Sequence, residues 1–347
     1  MRLRTARIRA ATMLVAALPA LFLALPARAA DHLKVGTSHI SGYAGVPVAL
    51  ARGYFAAQDI EVEMVFFDSS QPISVGVASG DIDLGVSGSS AGFYTLAAQG
   101  QLRILASSAG EMPGFDGMLA VAGEKAWRAG LQSPKDLPGH TIGITQIGTA
   151  LHYTIGLMAE KYGFPMSAVA VKPLQSNFNV LSALLGGTVD AAVMPVSPVQ
   201  PALTKGDIHT LVEMSALWHH SAGSVLFTST KIANERGDVL RRFLIAYRQG
   251  MKDFHDAFTA PDGQRRDGPL APAILPIMAD FARVTPEEFD HTTPYADAQG
   301  RIETADMDRQ IAWYRAQGLM KADIRVADIV DARYAILMPQ DETTTAK

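Results

Sequence analysis

The sequence predicts an α/β protein of two lobes with a ligand cleft between them. Three observations carry that expectation. A stretch early in the chain recurs at a fixed offset of 107 residues, which lays Gly36 on Gly143 and Asp83 on Asp190. Each copy alternates short strands and helices joined by short loops, the pattern of parallel strands covered by helices. The chain has 347 residues, 48% hydrophobic and 18% charged, enough to bury the cores of two ordinary domains.

In the repeat, Val35-Gly36-Thr37-Ser38-His39-Ile40 overlays Ile142-Gly143-Ile144-Thr145-Gln146-Ile147. Gly80-Asp81-Ile82-Asp83-Leu84-Gly85-Val86 overlays Gly187-Thr188-Val189-Asp190-Ala191-Ala192-Val193. The period is too long for a solenoid unit of roughly 20–50 residues. Two lobes on one plan place a cleft between them, the usual position of a ligand.

In the first copy, residues 33–37 read as a strand and residues 46–58 as a helix. Ile60, Val62, Met64 and Phe66 alternate along a second strand over 60–67. Ser69-Ser70-Gln71-Pro72 begins a helix, with a capping hydroxyl and then proline in the first turn. A strand over 84–86, a helix over 90–99 and a strand over 103–106 complete the copy. The second copy repeats the order. Strands are expected at 141–145, 169–174, 191–194 and 210–212, and helices at 149–162, 177–185 and 199–205. Residues 118–122 read as a crossing between lobes and 224–228 as the return. Helices are expected after that at 239–258, 273–283 and 305–317. The expected organisation is a leader at 1–29, a first lobe from 30–117, a second lobe at 118–223, and a return to the first lobe over 224–347.

The leader has the form of a cleavable secretory signal. Arg2, Arg4, Arg7 and Arg9 precede an apolar run from Ala10 to Leu25, and Ala27-Arg28-Ala29 supplies the small-x-small cleavage pattern. A membrane anchor is the alternative, disfavoured by the short run and by Pro19 and Pro26. There is no cysteine, which excludes lipid attachment at a cysteine, disulfides, thiolate metal sites and thiol nucleophiles. An exported chain without these fits the Gram-negative periplasm. The leader holds five of the 30 lysines and arginines and none of the 34 acids, so the remainder carries a formal charge of −9. That balance argues against nucleic acid as a partner.

Polar turns recur at corresponding places, each at the carboxyl end of a strand and the start of a helix. Ser41-Gly42-Tyr43 overlays Gly148-Thr149-Ala150, Ser69-Ser70-Gln71 overlays Ser176-Asn177-Phe178, and Ser87-Gly88-Ser89-Ser90 overlays Met194-Pro195-Val196-Ser197. Open α/β sheets bind ligands at this edge. Helix N-termini there present unpaired N–H groups that suit an anion. Any single Ser or Thr reads more readily as an N-cap than as a ligand contact. The run Ser87, Gly88, Ser89, Ser90 reads as functional, because four small polar residues together let a ligand approach the backbone. Tyr43 and Phe178 sit in the turns and can flank an organic ligand, whereas Phe93 reads as core. The expected ligand-binding set is Ser41, Gly42, Tyr43, Ser70, Ser87, Gly88, Ser89, Ser90, Gly148, Thr149, Ala150, Asn177, Ser197 and His219.

No catalytic residue, cofactor or metal is expected. His39, His152, His219 and His220 have no metal-ligand spacing, and His219-His220 reads as an anion donor or a hinge element. There is no G-x-S-x-G elbow, Walker A loop or G-x-G-x-x-G turn. Asp81, Asp83 and Asp190 lie at the amino end of a strand, away from the cleft, and read as turn residues.

Several segments, in order, carry a family resemblance. They are Val35-Gly36-Thr37, Pro47-Val48-Ala49-Leu50-Ala51-Arg52-Gly53-Tyr54-Phe55, Val77-Ala78-Ser79-Gly80-Asp81-Ile82-Asp83, Leu137-Pro138-Gly139-His140-Thr141-Ile142-Gly143, Trp313-Tyr314-Arg315-Ala316-Gln317-Gly318-Leu319 and Asp328-Ile329-Val330. Together they resemble the periplasmic substrate-binding proteins of ABC importers in the nitrate/sulfonate/taurine branch, NMT1/THI5-like. The resemblance implies a type II periplasmic-binding fold, a monomer that closes on a small molecule and docks on permease subunits, with ligand loops at residues 41–43, 87–90 and 148–150. No Arg or Lys lies in those turns, which disfavours a doubly charged anion. The expected function is a non-enzymatic receptor for a small organic anion, a sulfonate or carboxylate, aromatic ones included. Nitrate and a thiamine-pyrimidine precursor are the alternative ligands. An exported enzyme on the same scaffold and a binding subunit for a membrane sensor are the alternative functions. The pyrimidine-synthesis enzymes that share the fold imply a cysteine cluster that this chain lacks.

Overall fold

The computed structural model describes residues 30–115, 117–217 and 221–339, so the leader and His219 lie outside the described residues. Two mixed sheets of five strands each form the framework. The first holds β1 (Asp31–Thr37), β2 (Ile60–Phe66), β3 (Leu84–Ser87), β4 (Leu102–Glu111) and β10 (Ser221–Ser229) in the order β2-β1-β3-β10-β4. The second holds β5 (Met118–Gly123), β6 (Thr141–Ile144), β7 (Ala170–Pro173), β8 (Ala191–Pro195) and β9 (Ile208–Glu213) in the order β7-β6-β8-β5-β9. In each sheet three parallel strands are followed by an antiparallel fourth. The chain crosses between the sheets from β4 to β5 and returns from β9 to β10.

The 107-residue offset is visible in the strand register. Val35 pairs with Leu84 and Gly36 with Gly85 in the first sheet; Ile142 pairs with Ala191 and Gly143 with Ala192 in the second. Lys34 opposite Glu63 becomes Thr141 opposite Ala170. The aspartates follow the same rule at the edge away from the cleft. Asp83 accepts the Lys34 N–H at 2.8 Å, and Asp190 accepts the Thr141 N–H at 2.8 Å. The first carboxylate ties down the middle of β1 and the second the start of β6.

Helices α1 (Gly45–Ala51), α2 (Ser70–Ser79) and α3 (Ala91–Ala98) follow strands of the first lobe, and α4 (Ala150–Tyr162), α5 (Asn177–Leu185) and α6 (Gln200–Lys205) those of the second. The helix expected over 46–58 ends at Ala51. Gly53, at φ 74°, turns the chain, and only a short 3-10 turn, Ala56–Gln58, follows. After β10 come the long α7 (Gly237–Phe258), α8 (Ala271–Ala282) and α9 (Ala305–Ala316). The apolar face of α7, including Leu240, Phe243, Tyr247 and Phe254, is buried against the first lobe. Helix α9 lies across the back of both lobes. Tyr314 packs on Tyr94 of α3 and on Tyr153 of α4, and one hydrophobic core runs through all three helices. No helix among the described residues is long and apolar enough to cross a membrane.

Candidate functional site

The carboxyl ends of the parallel strands in both lobes face a cavity of about 720 Å3 including its open mouth, within the size range of small-molecule sites. The first lobe contributes Ser38, Ile40, Gly42, Tyr43, Asp68, Ser69, Ser70 and Gly88; the second contributes Thr145, Thr149, Ala150, Leu151, Asn177 and Pro195. The crossing strands and the loop between them supply Ala109, Glu111, Gly117, Met118, Gly223 and Ser224, and Pro294 completes the wall.

Three helices begin at this wall. The N-cap residues Ser69 of α2 and Thr149 of α4 make no side-chain capping bond, so the first turns of both helices keep N–H groups uncovered by a side chain. Thr149 instead donates its hydroxyl to Gln146 O at 2.8 Å. Asn177 opens α5, and its Oδ1 is buried with no hydrogen-bond partner. Tyr43 stands between these ends. Gly88 N–H donates to its hydroxyl oxygen at 3.1 Å and the Ser70 side chain bonds to it as well. Burial pushes its ionisation above the ordinary value of 10.0, against the pull of those two bonds, so it is a neutral phenol at physiological pH.

Of the expected set, Gly42, Tyr43, Ser70, Gly88, Thr149, Ala150 and Asn177 line the cavity. The run at 87–90 does not line it as a unit, and only Gly88 reaches it. Ser87 is buried with its hydroxyl on Gly88 O, Ser89 donates to Gln310 Oε1 of α9 at 3.2 Å, and Ser90 caps α3 by accepting the Phe93 N–H at 3.0 Å. The remaining members join one lobe to the other. Ser41 N–H donates to Ser197 Oγ at 3.3 Å, Ala91 N–H donates to Gly148 O at 2.8 Å, and Ser90 forms an antiparallel bridge with Thr149. Gly148 holds φ 78°, and a Cβ there would lie 3.3 Å from that of Ala91, so glycine meets both the backbone shape and the close approach. Phe178 is 77% exposed and off the cavity, and Phe93 is core.

Glu111, Asp68, Thr145 and Ser224 are lining residues that the sequence pattern did not single out. Asp68 sits one position before the Ser69-Ser70 turn and was within reach of the same argument. Glu111 and Ser224 belong to the crossing strands, which the repeat does not cover, so no local pattern marks them. Their presence changes the electrostatics. Among the described lining residues there are two carboxylates and no lysine or arginine. No group of three or more His, Cys, Asp or Glu able to hold a metal ion occurs among the described residues.

The family model for NMT1/THI5-like proteins matches residues 41–260. The chain belongs to the NMT1/THI5-like family. A sequence comparison with curated proteins gives no match. Among solved structures, this NMT1/THI5-like chain is similar to the alkanesulfonate-binding protein SsuA from Xanthomonas axonopodis pv. citri bound to MOPS, at 17% identity over 87% of this chain and 98% of that one, with a TM-score of 0.70. It is similar to the periplasmic nitrate-binding protein NrtA from Synechocystis PCC 6803, at 11% identity over 85% of this chain and 83% of that one, TM-score 0.67. It is also similar to the Candida albicans CA3427 gene product, described as having the generic periplasmic binding protein fold, at 16% identity over 89% and 98%, TM-score 0.68. The NMT1/THI5-like chain thus has a periplasmic-binding-protein fold.

Proposed function

We propose that this protein is the exported ligand-binding component of an ABC-type importer, a monomeric receptor that traps a small organic molecule between its lobes and presents it to permease subunits. Family membership and similarity to binding proteins for alkanesulfonate and nitrate support the reading. The observation that carries it is the cavity itself. Both lobes line it, helix first turns from both end on it, and direct bonds between the lobes close around it. Closure of that kind couples ligand contact to a change in molecular shape, which is what a transport partner can read. The lining hydroxyls favour binding over catalysis. Ser38, Ser70 and Thr149 bond to Phe67 O, to Tyr43 and to Gln146 O, not to a histidine that would make one of them a nucleophile.

A sulfonate or carboxylate end would rest at the first turns of α2 and α4, where N–H groups lack side-chain partners. Nitrate fits less well, because so small an ion would share the cavity with the carboxylate of Asp68 and with no lysine or arginine among the described lining residues. Titration calorimetry against organic acids, amino compounds and nitrate, followed by recovery of the bound compound, tests the function. The expected outcome is saturable binding with the ligand recovered unchanged. Chemical conversion of the bound compound would replace the receptor with an enzyme.

A further inference from the structure

The two lobes finish the same cradle differently. In the first, the Tyr43 phenol is only 6% exposed, with its oxygen accepting the Gly88 N–H at 3.1 Å and bonded to the Ser70 side chain. The 107-residue overlay carries Ser70 onto Asn177, Gly88 onto Pro195 and Tyr43 onto Ala150. Proline has no N–H to give. Helix α4 begins at Ala150 itself, whereas α1 begins at Gly45, which overlays His152. The second turn is therefore shorter, ends in Gly148 and Thr149, and carries no aromatic ring. Ala150, Asn177 and Pro195 all line the cavity, and Asn177 Oδ1 is buried without a hydrogen-bond partner. A buried acceptor left unpaired is costly. The position that meets a hydroxyl in the first lobe thus meets none from the described residues in the second.

Resting on the receptor reading above, we propose that the ligand is an aromatic acid whose ring hydroxyl donates to Asn177 Oδ1, its ring set against Ala150 and Pro195 where the second lobe lacks the phenol of the first. A phenol titrates near pH 10 and so keeps its hydrogen at neutral pH. An acid group in the same place would turn lone pairs toward the lone pairs of Oδ1. Ala150 and Pro195 offer the ring apolar surface, and Met118 and Leu151 extend it along the same cavity. The acid end lies toward the uncapped helix turns. There Gly88 N–H, the Tyr43 hydroxyl and the Ser70 hydroxyl bring three hydrogens to two bonds, so one hydroxyl hydrogen remains for an acceptor in the cavity. The first lobe thus supplies a surplus donor and Asn177 a surplus acceptor, which fixes the direction in which a hydroxyaryl acid lies.

The test titrates the full chain with pairs that differ only in the ring hydroxyl: 4-hydroxybenzoate against benzoate, and 4-hydroxybenzenesulfonate against benzenesulfonate, with propionate, ethanesulfonate and nitrate as ringless members. The hydroxy member is expected to bind at least about fivefold more tightly in each pair that binds. Asn177→Ala should remove that preference while leaving the melting temperature near that of the parent, because Ser176 and not Asn177 caps the helix. Asn177→Asp keeps an acceptor at the same atom and should retain the preference, since its added charge acts alike on both members of a pair. Equal or tighter binding of the members without the hydroxyl, or a preference that survives in Asn177→Ala, overturns the hydroxyaryl assignment and leaves the receptor standing. Binding of ringless members alone does the same. Failure of the folded parent chain to bind any member overturns the receptor reading and this inference with it.

Discussion

Ser89 and Ser90 show why a run of small hydroxyls is hard to interpret at the level of single residues. Ser90 bonds three positions along its own helix, while Ser89 bonds Gln310, brought in by α9 from far along the chain. Nothing in the local sequence separates a hydroxyl awaiting a ligand from one that caps a helix or one that meets a distant side chain. The glycines Gly42 and Gly88 and the ring of Tyr43 were legible because their place at a strand end follows from the repeat. Glu111 was not, because it lines the cavity from a crossing strand that the repeat does not cover. His152, which has no metal-ligand spacing in the sequence, is buried between the Gly148 turn and α9. Its Nδ1 accepts the Gly148 N–H at 3.2 Å, and its ring meets Trp313 edge-on with centroids 5.1 Å apart. Burial pushes its pKa below the ordinary value of 6.5. The native ring therefore resists a proton that the unfolded chain accepts from about pH 6.5 downward, so stability falls as pH drops from there toward the lowered native value and is unaffected above it. Melting temperatures between about pH 7 and pH 5 should decline, and His152→Gln should flatten that slope. An unchanged slope would mean that the imidazole titrates alike in both states.

At the scale of elements, periodicity was informative where a helix is long. Helix α7 was expected over 239–258 and runs over Gly237–Phe258, because Leu240, Phe243, Tyr247, Met251, Phe254 and Phe258 repeat at three- and four-residue steps and are all buried. Single turns such as Glu124–Arg128 and Met214–Leu217 are too short to show a period and were not anticipated. The packing of α4 on α9 also escaped the sequence, since it depends on one absent side chain. A Cβ on Gly156 of α4 would lie 2.3 Å from Trp313 Nε1 of α9, and His152 and Tyr153 already flank that indole. Gly156→Ala should thus force the indole or the whole of α9 outward at a cost of roughly 1–3 kcal/mol. Thermal unfolding should show a midpoint several degrees lower; an unshifted midpoint would show that the indole moves freely. Because α9 touches both lobes, ligand affinity in this variant reports how strongly the back of the molecule governs closure.

For the whole molecule, the two-lobed plan and the order of strands follow from the repeat, and Gly36 and Gly143 occupy the same register in their two sheets. The contact between lobes did not follow, because Gly148, Ser41 and Ser197 read as ligand residues when only one copy is considered at a time. A direct test of closure exploits the absence of cysteine. Ala91→Cys with Gly148→Cys places two thiols whose Cβ atoms would be 3.3 Å apart, close to the spacing of a disulfide. Under oxidation the pair should hold the lobes together, so that bound ligand exchanges many-fold more slowly and added ligand no longer enters; reduction should restore exchange. Normal exchange in the oxidised protein would show that entry does not require the lobes to part. The threading of the chain also sets the order in which the molecule can be made. All five strands of the second sheet lie between β4 and β10, whereas β4 pairs with nothing in its own sheet until β10 arrives on its flank. During folding the second lobe can therefore mature from a continuous segment while the first waits with an unfilled slot beside β3. Insertion of β10 between β3 and β4, the strand that also brings Ser224 to the cavity wall, is then the last and longest-range pairing the first sheet can make.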